Sequence, residues 1–69
     1  MRTEQLTAKA LEKVNFDKYL LANAVGKRAE KIANGAVILL EDIDTSNMKY
    51  TDIALREIAE GKIIVSLEG

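Results

Sequence analysis

Apolar residues recur at helical spacing in three stretches of this 69-residue chain, and each stretch predicts one helix. In positions 3–14 the apolar residues repeat every fourth position, which places them on one face of a helix. Positions 16–33 combine strong helix formers with a wide apolar arc. In positions 51–61 the apolar face is equally broad. The pattern predicts a small, mainly α, three-helix domain that spans residues 1–69.

Residue types that cap, stop or disturb helices stand at defined places in these stretches. Asn34-Gly35 supplies a stop signal after the long helix. In the last stretch, Thr51 can accept a hydrogen bond from a first-turn amide, and Gly61 can close the helix in the left-handed conformation. Gly26 costs the long helix about 1 kcal/mol relative to alanine. It is either simply tolerated or marks the close approach of another backbone, and we favour close packing.

Two apolar runs are too short to be assigned from their pattern. Positions 36–40 are continuously apolar, and positions 63–67 are mainly β-branched and apolar. Such runs do not distinguish a strand from an extended docking segment. The two runs either pair as short β-strands or lie extended along the body. Because exposed apolar runs promote aggregation, we expect them to be covered by the helices or by another chain.

The last helix is predicted to have a core face and a solvated face. Leu55 lies at the centre of the apolar face and is expected in the domain's own core. Glu57 and Glu60 lie opposite, where we expect solvent, and Arg56 can pair with Glu60 one turn away. Ile53 falls among these charged residues. It is either a lone exposed side chain, which is common, or part of a second contact surface.

Arg28 falls inside the apolar arc of the long helix. An unpaired buried charge is very costly, so the guanidinium needs either water or a partner. In one interpretation the aliphatic stem covers the core while the head reaches water. In the other, the head pairs with an acid of a binding partner.

The composition argues against catalysis and against a cofactor or a metal. The chain has no cysteine and no histidine, which removes disulfides and the usual zinc ligands. It has no glycine-rich phosphate loop, and its carboxylates are predicted on solvated faces. A cleft of about 300 Å³, the scale of ligand sites, is hard to fit in so small a body. We therefore expect no enzyme active site.

Charge and hydropathy also exclude several partners. Ten basic and eleven acidic residues give a net charge of −1, and no basic stripe dominates. We therefore expect no direct contact with nucleic acid. No apolar run approaches the roughly 20 residues of a membrane span, and positions 1–5 do not resemble a signal peptide. We expect no contact with a membrane. We expect the protein to be located in the cytoplasm.

The surplus of apolar residues points to protein binding. The chain is 48% apolar, yet a domain of this size buries only about 60% of its unfolded surface. Its core alone supplies no more than roughly 3–5 kcal/mol. Extra apolar surface on such a chain usually marks an interface. The residues therefore favour an accessory or interaction subunit, and the alternative is a free-standing homodimeric helical module that regulates a protein partner.

Two sequence blocks resemble a known family. The string from Asp52 to Ile63, Asp-Ile-Ala-Leu-Arg-Glu-Ile-Ala-Glu-Gly-Lys-Ile, closely resembles the signature of the omega subunit of bacterial RNA polymerase. The string from Phe16 to Ala22 resembles the start of that family's long helix, and the similarity runs over most of positions 10–63. The resemblance implies a small, mainly helical, non-catalytic, cytoplasmic subunit. Such subunits embrace the C-terminal tail of the largest subunit, β′, and assist its folding and its assembly into core enzyme.

The resemblance also implies which residues contact β′. By matching position they are Phe16, Asp17, Leu20 and Leu21 in one block, and Ile53, Ala54, Leu55, Arg56, Glu57, Ile58 and Gly61 in the other. In some relatives the extreme N-terminus helps to bind guanosine tetraphosphate at the β′ interface. The resemblance carries that contact over to Arg2, although Arg2 stands one position away from the corresponding arginine of those relatives.

Overall fold

The fold consists of three helices. The computed structural model describes residues 3–41 and 43–65, and within these ranges it contains helices and loops but no strand. Helix α1 is Thr3–Lys13, α2 is Lys18–Ala33 and α3 is Tyr50–Ala59. The predicted mainly α class is confirmed. No helix in the described part is long and apolar enough to cross a membrane.

Helix α3 is the element around which the other two pack. It contacts both α1 and α2 extensively, whereas α1 and α2 contact each other little. Two groups of buried side chains result, and α3 contributes to both. The Val14 cluster consists of Ala10, Val14, Leu21, Ile58 and Ala59. The Ile53 cluster consists of Ala29, Ile32, Leu40, Ile53 and Ala54.

All three helices end in the same backbone motif. Asn15, Gly35 and Gly61 follow the three helices with φ angles of 55°, 100° and 74°. In each case the amide of the next residue donates back to a carbonyl in the last turn, at 2.7, 2.9 and 2.9 Å respectively. This is the Schellman arrangement, in which a left-handed residue satisfies carbonyls that the helix leaves free. The predicted stops at Asn34-Gly35 and Gly61 are confirmed.

Helix α2 begins two residues later than predicted. Asp17 is its N-cap, and its side chain accepts from the Leu20 amide at 3.0 Å. Phe16, which we predicted as the first helical residue, has a φ of 62° and belongs to the turn after α1. The local carboxylate cap therefore determines where the helix starts.

The predicted cap of α3 is wrong. Lys49 occupies the N-cap position, and no side chain caps the helix end. Thr51 lies one residue inside the helix, so its hydroxyl is not at the capping position. Asp52 does lie in the first turn, where its charge favours the positive end of the helix dipole.

Gly26 does not mark close packing, and that interpretation is wrong. A Cβ built at this position would meet no atom within 4 Å. The residue is exposed and faces an open groove. Nothing within the described chain therefore requires glycine here.

The two apolar runs lie along the body as irregular segments as far as they are described. In 36–40, Ile38 and Leu40 pack against the Ile53 cluster while Val37 points outward. In the other run, Ile63 and Val65 pack against the Val14 cluster. Positions 66 and 67 lie outside the described residues. Neither run forms a strand in the described part of the chain, so the helices cover one side of each run and leave the other side open.

Candidate interaction surface

Most of the α3 residues predicted to contact a partner are buried in the chain's own core. Ile53 is 1% exposed, and Ala54 and Ile58 are completely buried. Ile53 is therefore not a lone exposed side chain but part of a second contact surface, which lies within the chain because α3 packs on two sides. These side chains build the platform that positions the exposed residues around them.

Apart from Leu21 and Glu57, the remaining predicted contact residues lie nearer the surface. Leu55 was expected at the centre of the core, but it is only partly buried and lies against the Val14 cluster. Among the others, Leu21 is buried, Leu20 and Arg56 are partly buried, and Phe16, Asp17 and Gly61 are exposed. Contact of the predicted residues with a partner stays a prediction.

Glu57 is a buried carboxylate and not a solvated one, which corrects the sequence-based interpretation. Its exposure is 0%. Arg28 Nε donates to Oε1 at 2.8 Å and Arg28 Nη2 donates to Oε2 at 3.1 Å. The Leu39 amide donates to Oε2 at 2.7 Å. The carboxylate thus binds both a guanidinium fork and a backbone amide.

Arg28 follows neither of the two interpretations offered from the sequence. Its side chain is 13% exposed, so its head is mostly withdrawn from water, and its acid partner belongs to the same chain. Nη2 also donates to the Val37 carbonyl at 2.6 Å. The hydrogen bond to Glu57 raises the pKa of the Arg28 guanidinium above its ordinary value.

The Arg28–Glu57 pair joins three parts of the fold. Arg28 comes from α2, Glu57 from α3, and the backbone groups of Val37 and Leu39 from the loop between them. No buried side-chain nitrogen or oxygen in the described chain lacks a hydrogen-bond partner. Because the pair is fully engaged within the fold, it is a structural element and offers no group for catalysis.

A groove on one side of α2 is apolar and basic. We call it the basic groove; its volume is about 290 Å³. One wall is α2 and the other is segment 63–65. Its lining residues are Leu20, Asn23, Ala24, Lys27, Arg28, Lys31, Ile63, Ile64 and Val65.

A second groove lies between all three helices, and we call it the glycine groove. Its volume is about 510 Å³. The residues that line it are Thr7, Leu11, Lys18, Leu21, Ala22, Val25, Gly26, Thr51, Asp52 and Leu55. The expectation that so small a body would have no cleft of this size was wrong, because the helices diverge and leave open grooves between them.

Several large apolar side chains are exposed, and one of them, Ile64, lines the basic groove. They are Phe16, Tyr19, Val37, Leu39, Tyr50 and Ile64. Single exposed apolar residues are ordinary, but this many on a chain of 69 residues favours a protein-binding surface. Sequence reasoning anticipated the surplus but did not locate the grooves, because their walls come from residues far apart in the chain.

Two other sequence-based expectations concern bound groups. Arg2, the candidate contact for guanosine tetraphosphate, lies outside the described residues. Within 3–41 and 43–65 there is no group of three or more histidine, cysteine, aspartate or glutamate residues arranged to hold a metal ion.

Comparison with known proteins identifies the family. Residues 9–64 match the family model RNA polymerase Rpb6. The chain is 90% identical to the DNA-directed RNA polymerase subunit omega of Sulfurovum sp. (strain NBC37-1) over the full length of both chains. It is 62% identical to the subunit of that name from Campylobacter concisus (strain 13826), over 91% of this chain and 87% of the relative. No solved structure gives a significant match. The chain therefore belongs to the omega-subunit family of DNA-directed RNA polymerase, within the broader RNA polymerase Rpb6 family.

Proposed function

We propose that this chain, as an omega subunit, holds the C-terminal tail of the β′ subunit and promotes the folding of β′ and its assembly into core enzyme. The observation that carries the proposal is the 90% identity, over the full length of both chains, to a protein named as the omega subunit. The chain acts as an accessory subunit in the cytoplasm and has no active site of its own.

The physical properties of the chain support a clamping role. Its buried side chains form two small clusters, and a domain of this size gains only roughly 3–5 kcal/mol from its own core. Two open grooves and six exposed large apolar residues offer it further surface to bury. A partner that covers this surface would stabilise the chain, and the chain would order the partner in return.

The alternative of a free-standing homodimeric regulator has less support. A second copy of the chain could also cover the exposed apolar residues. The full-length identity to named polymerase subunits, however, favours the polymerase as the partner. Recovery of the tagged chain from its own cells without polymerase subunits would support the homodimer instead.

A melting experiment tests the clamp directly. A synthetic β′ C-terminal tail that binds only the folded chain should stabilise it by about 2.7 kcal/mol at a concentration 100 times Kd. For a domain of this size, that corresponds to a rise in Tm of roughly 10 °C or more. The measurement is thermal unfolding followed by circular dichroism, and a tail of scrambled sequence is the control. An unchanged Tm at saturating tail would refute the clamp.

Binding of guanosine tetraphosphate through Arg2 stays a separate proposal that rests on the family resemblance alone. Substitution of Arg2 by alanine in reconstituted polymerase should weaken alarmone binding if the contact exists. Equal affinity of the two enzymes would remove Arg2 from the proposal without affecting the clamp.

A further inference from the structure

One wall of the basic groove carries two lysines without an acidic partner in the described chain. Lys27 and Lys31 lie four positions apart on α2, so their side chains are neighbours on one face. Neither forms an ion pair with a residue in 3–41 or 43–65. Arg28, the third basic residue of the groove, is already neutralised by Glu57. The groove therefore presents two uncompensated positive charges on a chain whose net charge is −1.

The two lysines repel each other weakly, although Lys31, in the last turn of α2, also interacts favourably with the helix dipole. Like charges four residues apart repel each other and destabilise a helix slightly. An acidic partner would remove this repulsion and would bind in a site with an apolar surface beside it. The charge of the groove thus favours an occupant of the opposite sign.

The opposite wall of the groove is apolar and open. Ile63 and Val65 lie against the core, whereas Ile64 is 95% exposed. The backbone of 63–65 makes no hydrogen bond to another described residue. Free backbone amide and carbonyl groups beside an exposed apolar side chain offer contacts to a second polypeptide. The second wall therefore suits an extended apolar segment rather than a compact ligand.

We propose that the basic groove binds an extended, apolar protein segment that carries acidic side chains at two positions, i and i+2. The α-carbons of Lys27 and Lys31 are about 6 Å apart along the helix axis, because a helix rises 1.5 Å per residue. Two residues of an extended strand advance about 6.7 Å and point to the same side. Acids at i and i+2 therefore align with the two lysines, and the residues between them point to the 63–65 wall.

The segment belongs to the polymerase core, so this inference rests on the proposed function. The glycine groove gives no comparable specificity, since Lys18 and Asp52 carry opposite charges there. Nucleic acid fits the basic groove less well, because proteins bind single strands with longer basic tracks and with aromatic rings that stack on bases. No aromatic residue lines this groove.

A charge-reversal pair tests the inference in the assembled enzyme. The variant is Lys27→Glu with Lys31→Glu, and the control of equal charge change is Lys9→Glu with Lys49→Glu, two exposed lysines that do not line the groove. Both double variants change the net charge from −1 to −5, because each substitution changes it by two. Polymerase lacking omega should bind the groove variant roughly tenfold or more weakly than wild type, and it should bind the control with nearly wild-type affinity. Equal affinity of the groove variant and wild type, or equal losses in both variants, would overturn the inference.

A peptide experiment separates failure of the groove from failure of the clamp. The probe is a labelled ten-residue peptide of alternating valine and glutamate, titrated against the full-length chain. We expect binding to wild type, loss of binding to the groove variant, and restored binding of that variant to the matching valine–lysine peptide. If wild-type chain fails to assemble with polymerase, the proposed function fails, and the peptide result still decides the groove. Absence of peptide binding, or preferential binding of a single-stranded oligonucleotide, would reject the acidic segment.

Discussion

Glu57 in α3 and Glu60, the residue at its C-cap, form ion pairs with opposite surroundings. Glu57 is fully buried and binds Arg28, which lies 29 positions earlier in the chain. Glu60 is at the surface and binds Arg56, one turn earlier on α3. Both pairs have the same nitrogen–oxygen distance of 2.8 Å. The comparison teaches that the distance between the charges says little about how much an ion pair stabilises the fold. That contribution depends on the other hydrogen bonds the pair forms and on whether water can replace them.

The buried pair combines two functions that the surface pair does not have. Its carboxylate accepts from the Leu39 amide, and its guanidinium donates to the Val37 carbonyl. The pair thereby supplies hydrogen bonds that a neighbouring strand would otherwise provide to the 36–40 segment. The surface pair only connects two side chains of one helix, and both remain partly exposed.

The largest expected effect comes from breaking the buried pair. Glu57→Ala leaves Arg28 buried without its acid and removes the acceptor of the Leu39 amide. Loss of one partner from a buried pair costs about 3–5 kcal/mol, which is comparable to the whole stability of a domain this small. We expect the free variant to be largely unfolded, as measured by circular dichroism and urea denaturation. Glu60→Ala is the control, and cooperative unfolding of Glu57→Ala at the wild-type midpoint would contradict the role of the pair.

A smaller effect is expected when both partners are replaced together. Arg28→Met with Glu57→Met removes the charges and keeps much of the side-chain volume, and such replacements of buried pairs are often tolerated. The Leu39 amide still loses its part-buried acceptor, at about 1–3 kcal/mol for an unsatisfied group, whereas the exposed Val37 carbonyl can bind water instead. The double variant should therefore be more stable than Glu57→Ala but less stable than wild type. A free energy of unfolding as low as that of Glu57→Ala would show that the charges themselves are needed.

The smallest effect is expected at the surface pair. Arg56→Ala and Glu60→Ala should each change the free energy of unfolding by about 0.2–0.5 kcal/mol, the value of an exposed pair one helical turn apart. Salt should reduce the difference further, because exposed charges are screened. Urea denaturation at low and high salt measures both effects. A loss at Arg56 as large as that at Glu57 would end the distinction between the two pairs.

Local sequence patterns predicted the helices well, because helical periodicity and stop residues act within a few positions. Gly35 and Gly61 ended helices as expected, since a left-handed residue is a local requirement. The family resemblance rests on similarly local strings. The predicted helix starts were less accurate. Asp17 and Thr51 are both acceptable N-cap residues, and only the surrounding packing decided that Asp17 caps α2 while Thr51 lies inside α3.

Features that depend on long-range packing were not predictable from a single helical pattern. Ile53 and Glu57 lay on the polar side of a projected helix, but α3 is covered from two sides. A charged residue inside the apolar arc, Arg28, was the signal that a buried acid was required. Which acid it was could not be derived from the sequence, since the pair joins residues 29 positions apart and depends on how α2 packs against α3.

The central position of α3 has a consequence for the order of events during synthesis. Helices α1 and α2 contact each other little, and both buried clusters include residues of α3. A nascent chain that has not yet emerged from the ribosome beyond α2 therefore lacks the surface on which its two helices pack. The chain remains open to chaperones and proteases until α3 emerges, because neither buried cluster is complete without it.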